Sequence, residues 1–526
     1  MKISKFFSGE LLDISYYIVR QLRNDLKSLY SCVLVNRFLC KIAIPILWED
    51  PFSVKRILRR DSHSPKFFDI YLFYFGEEDK ATLRKLGIFI NPEIKRPLFN
   101  YPSFIKTLNT FRLELHTVNL LNYSFPSNKK NRKKKSKSNQ VESDKVTFQS
   151  KYVEITSLLI KKDPTSSKKI MEFICISLFK IFISNNASLN NLSIKVNDSC
   201  ASLPSFLSSI KHFRICSNHY DGTLSNNLTN IIQSQTQLLS FSLSYIYNTV
   251  DTLYSSKNLT SLHFFKCNFT NLLSCEGHLG LTQLKSLSFM RCEGLTAQVS
   301  QQLFIIPTPL KIKSLRVEDA CSGVGLLIQE FSPYLENLEL KLWEIADREI
   351  ALESIINYCN RIKFLYLAKL NNEDIPKLYK LITQNCKLLK YLTLQPTNTD
   401  GLQVCSNLLR DLGPKLPHSL EYLNLCLKID PNDLYSFLCD IMHVDLKSLL
   451  FKNNHDYNVD ITFGVLKEFV MEKKIKNFAY QVNGYFDSNN LEHFKLDCLV
   501  NEFQHFTELK RYDDLILGIS DFDDAY

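Results

Sequence analysis

One hydrophobic phrase, L-x-x-L-x-L, recurs from residue 155 nearly to the end and limits this chain to few folds. It reads Ile155-Leu158-Ile160, Leu189-Leu192-Ile194, Ile210-Phe213-Ile215, Leu238-Phe241-Leu243, Leu259-Leu262-Phe264 and Leu284-Leu287-Phe289. It continues at Ile312-Leu315-Val317, Leu335-Leu338-Leu340, Ile362-Leu365-Leu367, Leu389-Leu392-Leu394, Leu420-Leu423-Leu425 and Leu446-Leu449-Phe451, with a weaker copy at Ile475-Phe478-Tyr480. After the first interval the copies lie 21 to 31 residues apart. That is the period of a solenoid whose units each supply one strand and a return segment. No unit of that size buries its apolar face alone, so neighbours must stack.

The period is that of leucine-rich repeats, which predicts an α/β solenoid (horseshoe) with a concave parallel sheet and convex helices. Helical stripes between phrases, such as Ala351-Leu352-Ile355-Ile356, Ile375-Leu378-Leu381-Ile382 and Leu434-Phe437-Leu438-Ile441, supply the convex layer. Successive strand side chains point to opposite faces. With the fourth and sixth phrase positions in the core, the third, fifth and seventh line the concave face. That face is predicted to carry Ser240, Ser242 and Ser244, then Ser261, His263, Ser286 and Ser288. Arg316 with Glu318 and Glu339 with Lys341 follow, and then an aromatic group of Phe364, Tyr366, Tyr391 and Tyr422. Exposed, preordered aromatics are common binding hot spots. Arg316, Glu339, Phe364, Tyr366, Tyr391 and Tyr422 are therefore the expected substrate-binding residues.

The first 50 residues follow a different pattern. Ile14, Ile18 and Leu22, then Leu26, Leu29 and Val33, then Ile42 and Leu47 recur at helical spacing. Asn24 or Asp25 can accept from free amides at the second helix start, and Pro45 bends or ends the third helix. Three helices in about 40 residues form a small core.

The run from Glu10-Leu11-Leu12-Asp13-Ile14 through Asp25-Leu26-Lys27-Ser28-Leu29 to Cys32-Val33-Leu34-Val35-Asn36-Arg37-Phe38-Leu39-Cys40 resembles an F-box. Ile42 through Pro51 resembles the tail of many fungal F-box proteins. With the repeats, the chain resembles F-box/leucine-rich-repeat proteins, substrate receptors of Skp–cullin–F-box ubiquitin ligases. The family's usual Leu-Pro is Leu11-Leu12 here, and the tryptophan of its third motif is Leu39. The resemblance implies docking of a Skp-type adaptor, and through it a cullin, by Leu11, Leu12, Ile14, Leu29, Val33, Val35, Ile42 and Pro45. It also implies a protein substrate held by the repeats. A repeat scaffold with no ligase role, its first helices capping the solenoid, is the alternative.

The expected organisation is a helical domain over 1–50, a linker with irregular first repeats over 51–123, a disordered basic loop over 124–147 and the solenoid, with a C-terminal cap and an acidic tail, over 148–526. Phe67–Phe75 fits a helix or a buried strand, and Leu108-Phe111-Leu113 an early, irregular repeat.

Charge adds little at this level. The formal net charge is +10, but Lys129, Lys130, Arg132, Lys133, Lys134, Lys135 and Lys137 lie together; without them 57 basic residues face 54 acidic ones. The run is a solvated loop or an import signal, and nucleic acid is not an expected partner. Fifteen cysteines without a C-x-x-C pair point to a reducing compartment, cytoplasm or nucleus, and to no metal. Cys267, Cys292, Cys359 and Cys386 fall at repeat positions where small apolar side chains pack. Membrane association is not expected. No P-loop, H-E-x-x-H or G-x-S-x-G is present, so the expected protein is not an enzyme and carries no cofactor.

Overall fold

The structure is a computed structural model that describes residues 12–52, 66–85, 96–110, 112–113, 116–117, 164–196, 210–217, 237–244, 258–270, 281–304, 309–319, 321–397, 402–428, 430–453, 459–482 and 508–509. The chain divides into two units, residues 1–218 and 219–526.

The first unit opens with α1 (Leu12–Gln21), α2 (Leu26–Val35) and α3 (Arg37–Leu47). Asp25 caps α2, its side chain accepting from the amides of Lys27 at 3.0 Å and Ser28 at 3.2 Å. Asn36 caps α3 through the amide of Leu39 at 2.8 Å. Pro45 sits in the last turn of α3, which runs on through it to Leu47, with the Trp48 amide donating to Ile44 O at 3.1 Å. The segment 67–75 resolves to a helix, α4 (Lys66–Phe73), followed by α5 (Glu77–Lys85). Further along are β1 (Thr107–Asn109), α6 (Pro164–Ser184), β2 (Asn191–Val196) and β3 (His212–Ser217), the strands pairing in parallel in that order.

The helices do not form a separate core. Trp48 packs on Tyr101 at 4.3 Å and edge-on to Tyr71 at 5.6 Å, and Tyr71 meets Phe182 of α6 at 5.6 Å. Leu29, Leu108 and Leu113 are fully buried in the same unit. Glu49, just past α3, accepts through its carbonyl from the amides of Lys106 and Thr107, both at 2.9 Å, and holds the Lys106 ammonium at 2.9 Å. Packing and hydrogen bonding thus run past residue 50, where the sequence pattern changes.

The second unit holds eleven described strands: β4 (Ser240–Ser244), β5 (Ser261–Phe265), β6 (Ser286–Met290), β7 (Ser314–Glu318), β8 (Asn337–Lys341), β9 (Phe364–Leu370), β10 (Tyr391–Pro396), β11 (Tyr422–Leu427), β12 (Ser448–Asn453), β13 (Asn477–Val482) and β14 (Glu508–Leu509). Each pairs in parallel with the next in sequence. From β6 onward helices fill the returns: α7 (Ala297–Phe304), α8 (Val324–Phe331), α9 (Ile345–Tyr358), α10 (Asp374–Gln384), α11 (Leu402–Leu412), α12 (Pro431–Asp440) and α13 (Val459–Lys473). This is an α/β, solenoid-like repeat with a parallel sheet. Leu338, Leu340, Leu365, Leu367, Leu392 and Leu394 are buried between sheet and helices, as are Leu352, Ile355, Leu378 and Leu381 from the helices.

The backbone repeats as regularly as the phrase. For most of the described strands, the carbonyl of the residue before the strand accepts two amides from the next repeat. Glu336 O accepts from Lys363 N at 2.7 Å and Phe364 N at 3.2 Å, and Lys390 O from Glu421 N at 2.8 Å and Tyr422 N at 2.9 Å. Glu49 does the same for β1, so the helical segment ends in the rung that starts the first unit's ladder. Just past β5, β6 and β7, Lys266, Arg291 and Asp319 adopt positive φ, 51° to 79°, and this left-handed residue turns the chain out of the sheet. Lys369, at the same register position, has φ 66° inside β9, next to the register shift in its pairing with β10.

Gly323 and Gly325 are packing glycines at the start of α8. A Cβ on Gly323 would stand 2.2 Å from Ser300 Oγ, and one on Gly325 2.6 Å from Ile350 Cγ2. The 124–147 loop and the phrase at Ile155 lie outside the described residues.

Candidate partner-binding surfaces

In the first unit, α1 turns Ser15 and Val19 inward and leaves Ile14, Tyr17 and Ile18 outside, a stripe at i, i+3 and i+4. α2 buries Leu29 and leaves Tyr30, Leu34 and Val35 outside, with Leu34 85% exposed. Six large apolar or aromatic side chains on two consecutive helices thus meet solvent, which far exceeds the scattered exposure of an ordinary surface. Between α1 and α3 lies an open cleft of about 320 Å³ lined by Asp13, Tyr16, Phe38, Lys41, Ile42 and Pro45.

Against this surface the eight expected adaptor-binding residues sort three ways. Ile14 and Val35 are exposed, and Val33 and Pro45 are half-buried. Leu29 and Ile42 are 0% and 5% exposed; they hold the three helices together and offer a partner almost nothing. Leu12 opens α1, and Leu11 lies outside the described residues. Tyr17, Ile18, Tyr30 and Leu34 stand on the same exposed stripes and were not among the expected residues. Their signal was in the sequence, because the stripe opposite Val19 and Leu29 on a helical wheel passes through them.

In the second unit the register defines the face opposite the core. Its middle row runs Ser242, His263, Ser288, Arg316, Glu339, Tyr366, Thr393, Asn424, Leu450 and Ala479. Arg316 Nε lies 3.0 Å from Glu339 Oε1, and its Nη2 3.8 Å from Glu318. Glu318 also pairs with Arg291 at 3.1 Å and Lys341 at 3.4 Å. Burial works against ionisation of Glu318, but Lys341, Arg291 and Arg316 outweigh it and hold the carboxyl below its ordinary value.

The aromatic group is less open than expected. Tyr391 and Tyr422 rings stand 6.1 Å apart, and the Tyr366 hydroxyl donates to Gln395 Oε1 at 2.8 Å. Phe364 and Tyr422 are 0% and 3% exposed, so they are not surface anchors; only Tyr366 and Tyr391 stay partly open. Large side chains at adjoining register positions shield one another, and Phe364 and Tyr422 have further partners in the chain. Tyr422, Cys426, Leu450 and Ala479 form a buried apolar cluster with Tyr391 against it. Desolvation raises the Tyr366 phenol well above its ordinary pKa.

Among the described residues no group of three or more His, Cys, Asp or Glu is placed to hold a metal ion, and no helix is long and apolar enough to cross a membrane. No protein-family model matches the chain, and no curated protein matches it in sequence.

Proposed function

We propose that this chain is a non-catalytic adaptor of a cullin-RING (Skp–cullin–F-box) ubiquitin ligase. In this reading α1–α3 are an F-box that docks a Skp-type adaptor, and the repeats are leucine-rich repeats that hold a protein substrate for ubiquitin transfer. The mechanism is proximity: tethering raises the effective concentration of substrate lysines near the charged enzyme.

The observation that carries the reading is the outward stripe of Ile14, Tyr17 and Ile18 on α1 with Tyr30, Leu34 and Val35 on α2. A three-helix segment with a satisfied inner face has no folding reason to keep six such side chains in water.

The test is co-purification with a Skp-type adaptor, comparing the full chain with Ile14→Asp, Ile18→Asp and Leu34→Asp. Removing residues 1–50 would be a poor control, since Trp48 and Glu49 are built into the rest of the unit. Capture abolished by the three substitutions supports the reading. Capture that survives them sinks the proposed docking face.

One observation favours the second reading, a scaffold whose helices cap the repeats. Glu49 occupies the ladder position that pre-strand residues such as Lys106, Lys285 and Glu336 fill for the strands after them. A cap requires no adaptor, so a well-folded chain that captures none supports it.

A further inference from the structure

The residues immediately before eight consecutive strands, β6 to β13, are Lys285, Lys313, Glu336, Lys363, Lys390, Glu421, Lys447 and Lys476. Two lysines and one glutamate repeat along the leading edge of the sheet. Ladder carbonyls hold the first seven of these residues, Lys285 to Lys447, one per strand. At about 4.8 Å between strands the row is about 34 Å long.

The ion pairs confirm that the side chains share one edge. Glu336 takes Lys363 at 2.8 Å and Lys313 at 3.9 Å, and Glu421 takes Lys447 at 2.6 Å and Lys390 at 3.1 Å. Exposed Arg361 also reaches Glu336, at 3.9 Å. Lys311 and Lys387 add exposed cations on the same rim, and Asp445 one exposed acid. Most of the lysines stay open to water, Lys390 and Lys447 at 49% and 66%. Six lysines against two glutamates leave the row itself net positive, beyond what pairing within it neutralises.

We infer that this leading edge is a binding surface for an acidic polypeptide segment of a partner protein. Charge complementarity selects an anionic partner, and the arrangement selects a polypeptide over a nucleic acid. Phosphates carry charge at uniform intervals, so a nucleic-acid strand along the row meets Glu336 and then Glu421 about 14 Å further on. A polypeptide can leave a neutral residue at those points.

The row uses none of the residues of the adaptor-docking stripe and does not rest on the ligase reading. Its test uses no adaptor, so either can fail alone. The protein is the full chain with the basic residues of the 129–137 run changed to Gln, which removes a competing polyanion site. Two labelled probes of nearly equal charge are titrated by fluorescence anisotropy: a peptide of six Glu-Glu-Gln repeats and a twelve-nucleotide strand of deoxythymidine. The peptide is expected to bind more tightly than the strand, with affinity that falls as salt rises. Lys285→Gln, Lys390→Gln and Lys476→Gln together should weaken the peptide about tenfold. Glu336→Gln with Glu421→Gln should raise affinity for the strand more than for the peptide, a gain that a misfolded variant does not produce. Peptide binding that is absent at low salt or unmoved by the three lysine changes overturns the inference. So does tighter binding of the strand by the chain that keeps both glutamates.

Discussion

Arg348 of α9 and Asp374 at the start of α10 form a buried ion pair, Nε to Oδ2 at 2.9 Å, with both residues at most 5% exposed. The guanidinium also donates from Nη1 to the carbonyls of Leu342 at 3.1 Å and Trp343 at 2.9 Å, and Asp374 accepts from the Asn371 amide at 2.9 Å. One arginine thus ties the exit of β8, its own helix and the next repeat. Arg348→Met keeps the side-chain volume but leaves a buried carboxylate and two carbonyls unpaired. Removing one partner of a buried pair costs about 3–5 kcal/mol. Denaturant unfolding should show a loss of that order, with Arg348→Lys recovering part of it.

The two kinds of residue on α1 and α2 separate docking from folding. Leu29→Ala removes a fully buried side chain and should cost about 2–5 kcal/mol. Leu34→Asp, on the exposed side, should change stability by about 0.5 kcal/mol or less while abolishing capture of a Skp-type adaptor. Thermal melts and co-purification on the same samples check both. A Leu34→Asp chain that melts much earlier would mean that α2 packs differently.

Most of the repeat was legible because burial and phrase coincide. Positions such as Leu338 and Leu340 alternate with the opposite face, and only one register puts both in the core. What the pattern could not say was how open that opposite face is. Phe364 and Tyr422 occupy outward register positions yet are covered, because cover depends on neighbours brought together by the ladder and not on the phrase itself. Phe67–Phe75 was ambiguous for a related reason: a short, wholly apolar run has no period to separate helix from strand. The leading-edge charges were visible residue by residue, but a net charge sums over the chain and hides a row that exists only when repeats are aligned. In the helical segment, Leu29 and Ile42 are apolar residues like Ile14 and Val35, and only burial tells core from surface.

Acid should loosen the leading edge. At Glu336, burial raises the carboxyl's pKa, but the hydrogen bond from Lys363 and the charges of Lys363, Lys313 and Arg361 bring it below its ordinary value of 4.5. At Glu421 the hydrogen bond from Lys447 is the main cause of a shift in the same direction. A carboxyl whose folded pKa is depressed stabilises the fold above its unfolded value, and that contribution is lost as pH falls through the folded pKa. Melting temperature should therefore hold from pH 7 to about 5 and fall below about 4.5. Glu336→Gln should lower it at neutral pH and narrow the gap to wild type as pH drops. A gap that stays constant to pH 3 would mean that the Glu336 carboxylate contributes nothing beyond its shape.

Thiol chemistry reads out the repeat core directly. Desolvation pushes the thiols of Cys359 and Cys386 up to about 12, and burial with the neighbouring Asp347 does the same for Cys321. The thiolate is the reactive form, so these positions are protected twice, by access and by protonation. Cys439, on α12, is exposed. Iodoacetamide at pH 8 followed by peptide mapping should modify Cys439 quickly and leave Cys321, Cys359 and Cys386 untouched until denaturant is added. The protected thiols should then react together, because the stacked repeats that bury them lose their neighbours in one transition. Early labelling of Cys359 alone would place the α9 repeat outside that cooperative unit.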